Sequence, residues 1–292
     1  MAEAPALPSE GVHTIALNLE LADKPVSLQL RVDLSQMSHR MIIKPLSEGK
    51  LYEESFSTFL LRALRPGDRF LDVGGHIGFF SLLASHMVGD EGQVLVLEPN
   101  ADNFGWLTDL MKLNGRQNVK AINKVASETD GSVEFYRNAD NDGGHALWDP
   151  GLHEFNKQSR EAPQKDSYPS TRLDTLTGAE GFDQCRVVKI DTEGAELTVL
   201  KSGGAFFTPG RTPFVVCEVN EFGLAQMGTN QEALRAYMAE RGYSTFTFGQ
   251  KEALPAMVPP ATKLMSPYVF NVLFSTLDAV GEVWPQTTPF ID

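Results

Sequence analysis

Two stretches near the start of the chain alternate apolar and polar residues with period two. Ile15, Leu17, Leu19 and Leu21 make the first, and Val26, Leu28, Leu30, Val32 and Leu34 the second, with Ala22-Asp-Lys-Pro25 between them. Successive side chains of a strand point to opposite faces, so residues 14 to 34 predict a hairpin with one buried face. Phe56, Phe59, Leu60, Ala63 and Leu64 then recur at helical spacing, and Arg65-Pro66-Gly67-Asp68 stops that helix. Residues 1 to 50 read as an N-terminal extension packed on a main domain of residues 51 to 292.

From Phe70 onward the pattern switches between short apolar runs and helical repeats. Strands are predicted at Phe70–Val73, Val94–Leu97, Val119–Val125, Val187–Ile190 and Phe214–Val219, with helices at 100–113, 194–202 and 230–241 among the connections. Such alternation implies a doubly wound α/β domain, a mostly parallel sheet covered by helices. The rhythm then changes. Tyr243–Phe248 and Tyr268–Ser275 follow with no helix between them, which predicts an antiparallel close to the sheet. Two polar stretches, 139–170 and the proline-rich 249–267, far exceed the usual connection of about 4–6 residues. The first reads as a lid or a disordered insertion. The second leaves the sheet at the end where strand C-termini present ligand sites, which favours a part in substrate binding.

Composition narrows the partners. With 42% hydrophobic residues in 292, the chain can fill a large core. Its net charge of −13, from 25 basic and 38 acidic residues with no basic cluster, speaks against a nucleic-acid partner and for a neutral or cationic small ligand. Cys185 and Cys217 are the only cysteines, so neither a disulfide framework nor a metal-type spacing is present. No apolar run approaches the ~18 residues of a membrane span, and the start Met-Ala-Glu-Ala-Pro lacks the character of a signal peptide. A cytoplasmic location is the expectation.

The candidate chemistry begins where the first core strand meets its helix, at Phe70-Leu-Asp-Val-Gly-Gly-His-Ile-Gly78. Asp72 ends the strand, Gly74 and Gly75 permit positive φ and close backbone approach, and the helix after Gly78 opens with free N–H groups. Glu98, at the end of the second strand, is placed to bind ribose hydroxyls. The spacing is Gly-Gly-x-x-Gly rather than Gly-x-Gly-x-x-Gly, which disfavours a nicotinamide oxidoreductase. An acid-rich turn suits S-adenosylmethionine, which has no phosphates but carries a sulfonium and an amino group.

Several runs resemble the FkbM-type S-adenosylmethionine-dependent methyltransferases: Asp72-Val-Gly-Gly-His-Ile-Gly, Leu97-Glu-Pro-Asn with Asn103-Phe104 and Leu107, Thr171-Arg-Leu-Asp-Thr-Leu176, and Val188-Lys-Ile-Asp-Thr-Glu-Gly-Ala-Glu196 with Val199-Leu-Lys-Ser-Gly203. The match covers roughly residues 50 to 248, and the Lys189-to-Glu196 run is its most specific part. The family usually has Ala-Asn where this chain has Gly75-His76. The resemblance implies a seven-stranded, Rossmann-like class I sheet and O-methylation of a hydroxyl on a sugar, lipid or polyketide-like metabolite, with N-methylation as the alternative. The expected donor site comprises Asp72, Gly74, Gly75, His76, Gly78, Glu98, Pro99 and Ala126.

An alcohol acceptor needs its proton removed during attack, so a base must lie within reach. Asp191, Glu193 and His145 are the candidates, with His153 and His86 weaker. Lys189, costly inside an apolar strand unless paired, shares a strand face with Asp191 and is expected to form an ion pair with it. Asp191, Glu218 and Asn220 offer a loose set of oxygen ligands for Mg²⁺.

Overall fold

The computed structural model describes residues 10–21, 24–249 and 254–284. β1 (Val12–Leu21) and β2 (Lys24–Asp33) pair antiparallel as a two-stranded ribbon, Leu17 opposite Leu28. α1 (Met37–Ser47) and α2 (Glu54–Ala63) follow. The alternating region runs β3 (Arg69–Val73), α3 (Phe79–Val88), β4 (Gln93–Leu97), α4 (Ala101–Leu113) and β5 (Val119–Ile122). Next come β6 (Val125–Ala126), β7 (Gly131–Arg137), α5 (Lys157–Glu161), β8 (Gln164–Thr171) and α6 (Leu173–Ala179). β9 (Val187–Ile190), α7 (Glu196–Gly203), β10 (Phe214–Val219), α8 (Glu221–Gln226) and α9 (Gln231–Ala239) lead to β11 (Ser244–Phe248), β12 (Pro255–Val258), β13 (Phe270–Ser275) and α10 (Leu277–Val283).

The main sheet has the order β12-β11-β13-β10-β9-β3-β4-β5. β10, β9, β3, β4 and β5 are parallel, and β13 lies antiparallel between β10 and β11. The sheet therefore holds eight strands among the described residues, one more than the seven expected. The extra one, β12, sits at the edge inside the stretch read as a loop. Its prolines hid it: an edge strand tolerates Pro255 at its first position, where no donor to a neighbour is required.

Both faces of the central strands are buried, so their residues divide with period two between two apolar layers. Phe70, Val187, Phe214 and Val216 enter one layer with Phe59, Leu82 and Leu107, and the ribbon residues Leu28, Leu30 and Val32 belong to that same layer. Leu71, Val188, Val215 and Cys217 enter the other with Leu173, Leu234 and Phe274. Register then sets the chemistry. Asp72 lies beside Lys189 across β3 and β9, on the first face. No helix among the described residues is long and apolar enough to cross a membrane.

Two expectations need correction. The strand predicted at Val119–Val125 is broken: β5 stays in the main sheet, while β6 joins β7 and β8 in a separate three-stranded sheet. Asn123 lies at the break, its amide donating to the main-chain oxygens of Glu98 and Pro99 at 2.8 and 2.9 Å. The stretch 139–170 is not a featureless insertion, since α5 and most of β8 lie within it. β8 escaped notice because its first four residues are exposed and polar.

Candidate active site

β3 ends in a turn that only glycine can make. Gly74 and Gly75 both donate their N–H groups to Leu97 O, at 3.0 and 2.9 Å, which fixes the turn against the end of β4. At Gly74, with φ +86°, a Cβ would stand 1.8 Å from the main-chain oxygen of Asp191, so the missing side chain lets β3 and β9 meet. His76 follows with φ 49°, a left-handed conformation uncommon outside glycine. Gly78 starts α3 and packs on Leu107.

Glu98 closes the other side of the turn. Its Oε2 accepts the N–H of His76 and its Oε1 that of Asn100, each at 2.8 Å, and each oxygen keeps a lone pair for a ligand hydroxyl. Burial pushes its pKa up to about 7, against the favourable effects of His76 and the two amides. Asn100 in turn caps α4, accepting from the N–H groups of Asp102 and Asn103.

At the ends of β9 and β10 the walls become acidic. Lys189 forms the expected ion pair, its Nζ 2.9 Å from Asp191 Oδ2 and 3.7 Å from Asp72 Oδ1, with Gly74 O at 3.2 Å. Burial would lower the Lys189 pKa, but Asp191, Asp72 and Glu53 outweigh it and the net direction is upward. Glu193 has φ 56°; its main-chain oxygen accepts from Trp148 Nε1 at 2.6 Å and its Oε2 from Asn220 Nδ2 at 2.8 Å. Burial, aided by the Asp191 charge, pushes the Glu193 carboxyl up to about 8. Glu196 shapes this turn from below, accepting the N–H groups of Thr192 and Gly194 at 3.0 and 3.1 Å. Burial also raises the carboxyls of Glu218 and Glu53, again with Asp191 adding to the shift.

These groups surround one cleft with a cavity volume of about 240 Å³. Of the expected donor-site residues, Gly74, Gly75, His76, Glu98, Pro99 and Ala126 line it, together with Asp191, Glu193, Glu218 and His145. Asp72 and Gly78 do not. Asp72 points into the first apolar layer beside α3, where its Oδ2 accepts from Ser81 at 2.7 Å, so it supports Lys189 from behind the wall. His153 and His86 also lie off the cleft, and none of 254–267 reaches it. That C-terminal loop is held instead by Arg235 and Gln231, which donate to the main-chain oxygens of Pro259 and Leu264. Tyr52 and Glu53, at the start of α2, line the cleft without having been anticipated, and no spacing in the sequence marked them.

Two candidate roles meet constraints. His145 Nδ1 accepts the N–H of Asn138 at 2.9 Å, so the neutral ring carries its proton on Nε2 and can donate but not accept. Burial lowers its pKa to about 4, which keeps it neutral. Of the expected Mg²⁺ ligands, Asn220 is committed at both amide atoms, to Glu193 Oε2 and to the N–H of Gly223. Asp191, Glu193 and Glu218 do bring one oxygen each within 4.8 Å of one another, yet Lys189 already supplies the positive charge beside Asp191. Two of the three expected ligands, Asp191 and Glu218, thus share this carboxylate cluster with Glu193, while Asn220 stands outside it.

No curated protein matches the chain in sequence. Among solved structures it is similar to a SAM-dependent methyltransferase from Aquifex aeolicus, at 11% identity over 76% of this chain and 88% of that one, TM-score 0.39. It is similar also to a precorrin-6y C5,15-methyltransferase from Geobacter metallireducens, at 14% identity over 77% and 89%, TM-score 0.40. A fibrillarin from Aeropyrum pernix with natively bound S-adenosyl-L-methionine aligns at 11% identity over 75% and 73%, TM-score 0.39. The Methyltransferase FkbM domain matches residues 72–245, more than half of the 292, from the strand end at Asp72 to Thr245 in β11. The chain belongs to the FkbM family of S-adenosylmethionine-dependent methyltransferases.

Proposed function

We propose that the protein methylates a hydroxyl of a small metabolite, of sugar, lipid or polyketide type, held at the acidic end of the cleft, with Glu193 as the proton acceptor. S-adenosylmethionine, when bound, supplies an activated methyl carbon and leaves as S-adenosylhomocysteine. The chain's own task is alignment and proton removal. Gly74, Gly75 and His76 offer backbone to the donor, Glu98 accepts its ribose hydroxyls, and Pro99 and Ala126 complete the wall. As the new C–O bond forms, the acceptor's O–H bond breaks and its proton passes to a carboxylate.

The observation that carries this reading is the state of Glu193. It is half-buried in the cleft wall, held in a left-handed turn just after β9, and its pKa of about 8 suits a base working near neutrality. Asp191 stands nearby, but its Oδ2 is already engaged by Lys189 Nζ at 2.9 Å. His145 acts as a hydrogen-bond donor to the ligand. The net charge of −13 supports a small acceptor over a nucleic acid. A second reading, N-methylation of an amine, is favoured by the gathering of Glu53, Asp191, Glu193 and Glu218 around the same space.

Glu193→Gln tests the assignment. Single-turnover methyl transfer is expected to fall about 10²–10⁴-fold while S-adenosylmethionine affinity stays close to wild type, and the wild-type rate is expected to rise with pH through about 8. A variant with near-native turnover and an unchanged pH profile would remove Glu193 from the chemistry.

A further inference from the structure

We propose that Asp142 is a positioning residue for the methyl donor: its carboxylate clasps the loop of residues 138–145 over the cofactor turn and thereby retains the donor. The inference rests on the reading above, in which the donor lies against Gly74, His76 and Glu98.

Asp142 Oδ2 gathers three groups from two other parts of the chain. Ser38 Oγ donates to it from α1, His76 Nε2 lies 3.2 Å away in the turn after β3, and His39 Nε2 lies 3.4 Å away. The main-chain oxygen of Asp142 accepts Asn103 Nδ2 from α4 at 2.8 Å. One residue therefore ties its loop to α1, to the cofactor turn and to α4. The base of the loop is pinned separately, where His145 Nδ1 accepts the N–H of Asn138.

Proton placement makes this a clasp rather than a metal centre. His39 is 1% exposed and its Nδ1 accepts the N–H of Asp33 at 2.8 Å, so the proton of the neutral ring sits on Nε2, facing Asp142. That nitrogen has no lone pair for an ion, although His39, His76 and Asp142 lie close enough together to suggest one. Burial would raise the Asp142 pKa, but the hydrogen bonds from His76 and Ser38 outweigh it and hold the carboxyl well below its usual range. The carboxylate is thus an anion whose Oδ2 faces donors from α1 and from the turn after β3.

Asp142 does not line the cleft, whereas its neighbours Asn141 and Gly143 do. It acts through them and through His76. The amide of His76 holds Glu98 Oε2 at 2.8 Å while its ring meets Asp142, so the loop closure and the ribose-binding acid share one residue. A donor lying beneath this loop can leave only when the Asp142 contacts part. His76 has in this arrangement a partner suited to an imidazole.

The experiment is S-adenosylhomocysteine binding to the full chain, by calorimetry and stopped flow. Asp142→Asn is expected to raise Kd about tenfold, through loss of charge-assisted hydrogen bonds, with the increase appearing in the dissociation rate. In turnover, KM for S-adenosylmethionine should rise while kcat at saturation is kept. His76→Ala should cost less in the Asp142→Asn background than in wild type, because the two share one contact. Should Asp142→Asn fail to fold, Ser38→Ala removes one donor to the same carboxylate and is expected to raise the dissociation rate about threefold. A folded Asp142→Asn with unchanged Kd and dissociation rate, or additive losses in the double variant, would overturn the clasp. If Glu98→Ala loses binding and Asp142→Asn does not, the clasp alone fails. If the wild type does not bind S-adenosylhomocysteine, the donor-site reading itself fails.

Discussion

In the proposed function Glu98 is the residue that couples fold to ligand. Both its oxygens accept main-chain amides, and its burial at 5% exposure raises its pKa from 4.5 to about 7. For a carboxyl raised on folding, stability is lost as pH climbs from the unfolded value through the folded one, because the native state binds the extra proton. A ligand hydroxyl donating to the ionised form opposes this. S-adenosylhomocysteine affinity is therefore expected to weaken as pH falls below about 7, approaching tenfold per unit, with protons released on binding at pH near 6. Glu98→Gln should abolish both effects. Titration in buffers of differing ionisation enthalpy checks this, and a pH-independent affinity with no proton release would show that Glu98 does not exchange its proton for the ligand.

At the scale of the element, the site depends on how closely strand ends approach. Gly74 makes the contact between β3 and β9, and a methyl there would lie 1.8 Å from Asp191 O, besides being strained at φ +86°. Gly74→Ala is expected to lower unfolding free energy by about 3 kcal/mol or more and to abolish donor binding. Urea unfolding with a binding assay measures both, and a stable variant that still binds would mean the turn can open without loss. The central strands were legible in the sequence because burial on both faces leaves uninterrupted apolar runs: Val187–Ile190 and Phe214–Val219 were placed at their observed ends. Other strands were not. The Asn123 break separates β5 from β6 by side-chain bonds to another strand end, and β8 presents polar residues, so period and hydropathy carried no signal for either.

Across the whole molecule, the cleft is assembled from pieces far apart in sequence. The glycine turn, Glu98 and the Asp191–Glu193 run could be found because each lies at the end of an apolar strand, where ligand sites gather in such sheets. Tyr52, Glu53 and Ser38 could not, since they reach the cleft only through the packing of α1 and α2, nor could Asp142, which meets Ser38 from the 138–145 loop behind the cleft wall. Asp72 is legible as part of the motif, but it lies behind the cleft wall rather than on it. Strand parity, and the register that sets it beside Lys189, turns it inward. The N-terminal ribbon shares an apolar layer with α3 and α4, so the residues before position 50 help to support the same site.

That the cleft holds the methyl donor is tested most directly by calorimetry of the full chain with S-adenosylhomocysteine and with NAD, for wild type and Glu98→Ala. Saturable S-adenosylhomocysteine binding, no NAD binding, and a loss of about 1–3 kcal/mol in Glu98→Ala are expected. NAD binding without S-adenosylhomocysteine binding, or an unchanged affinity in Glu98→Ala, would contradict it.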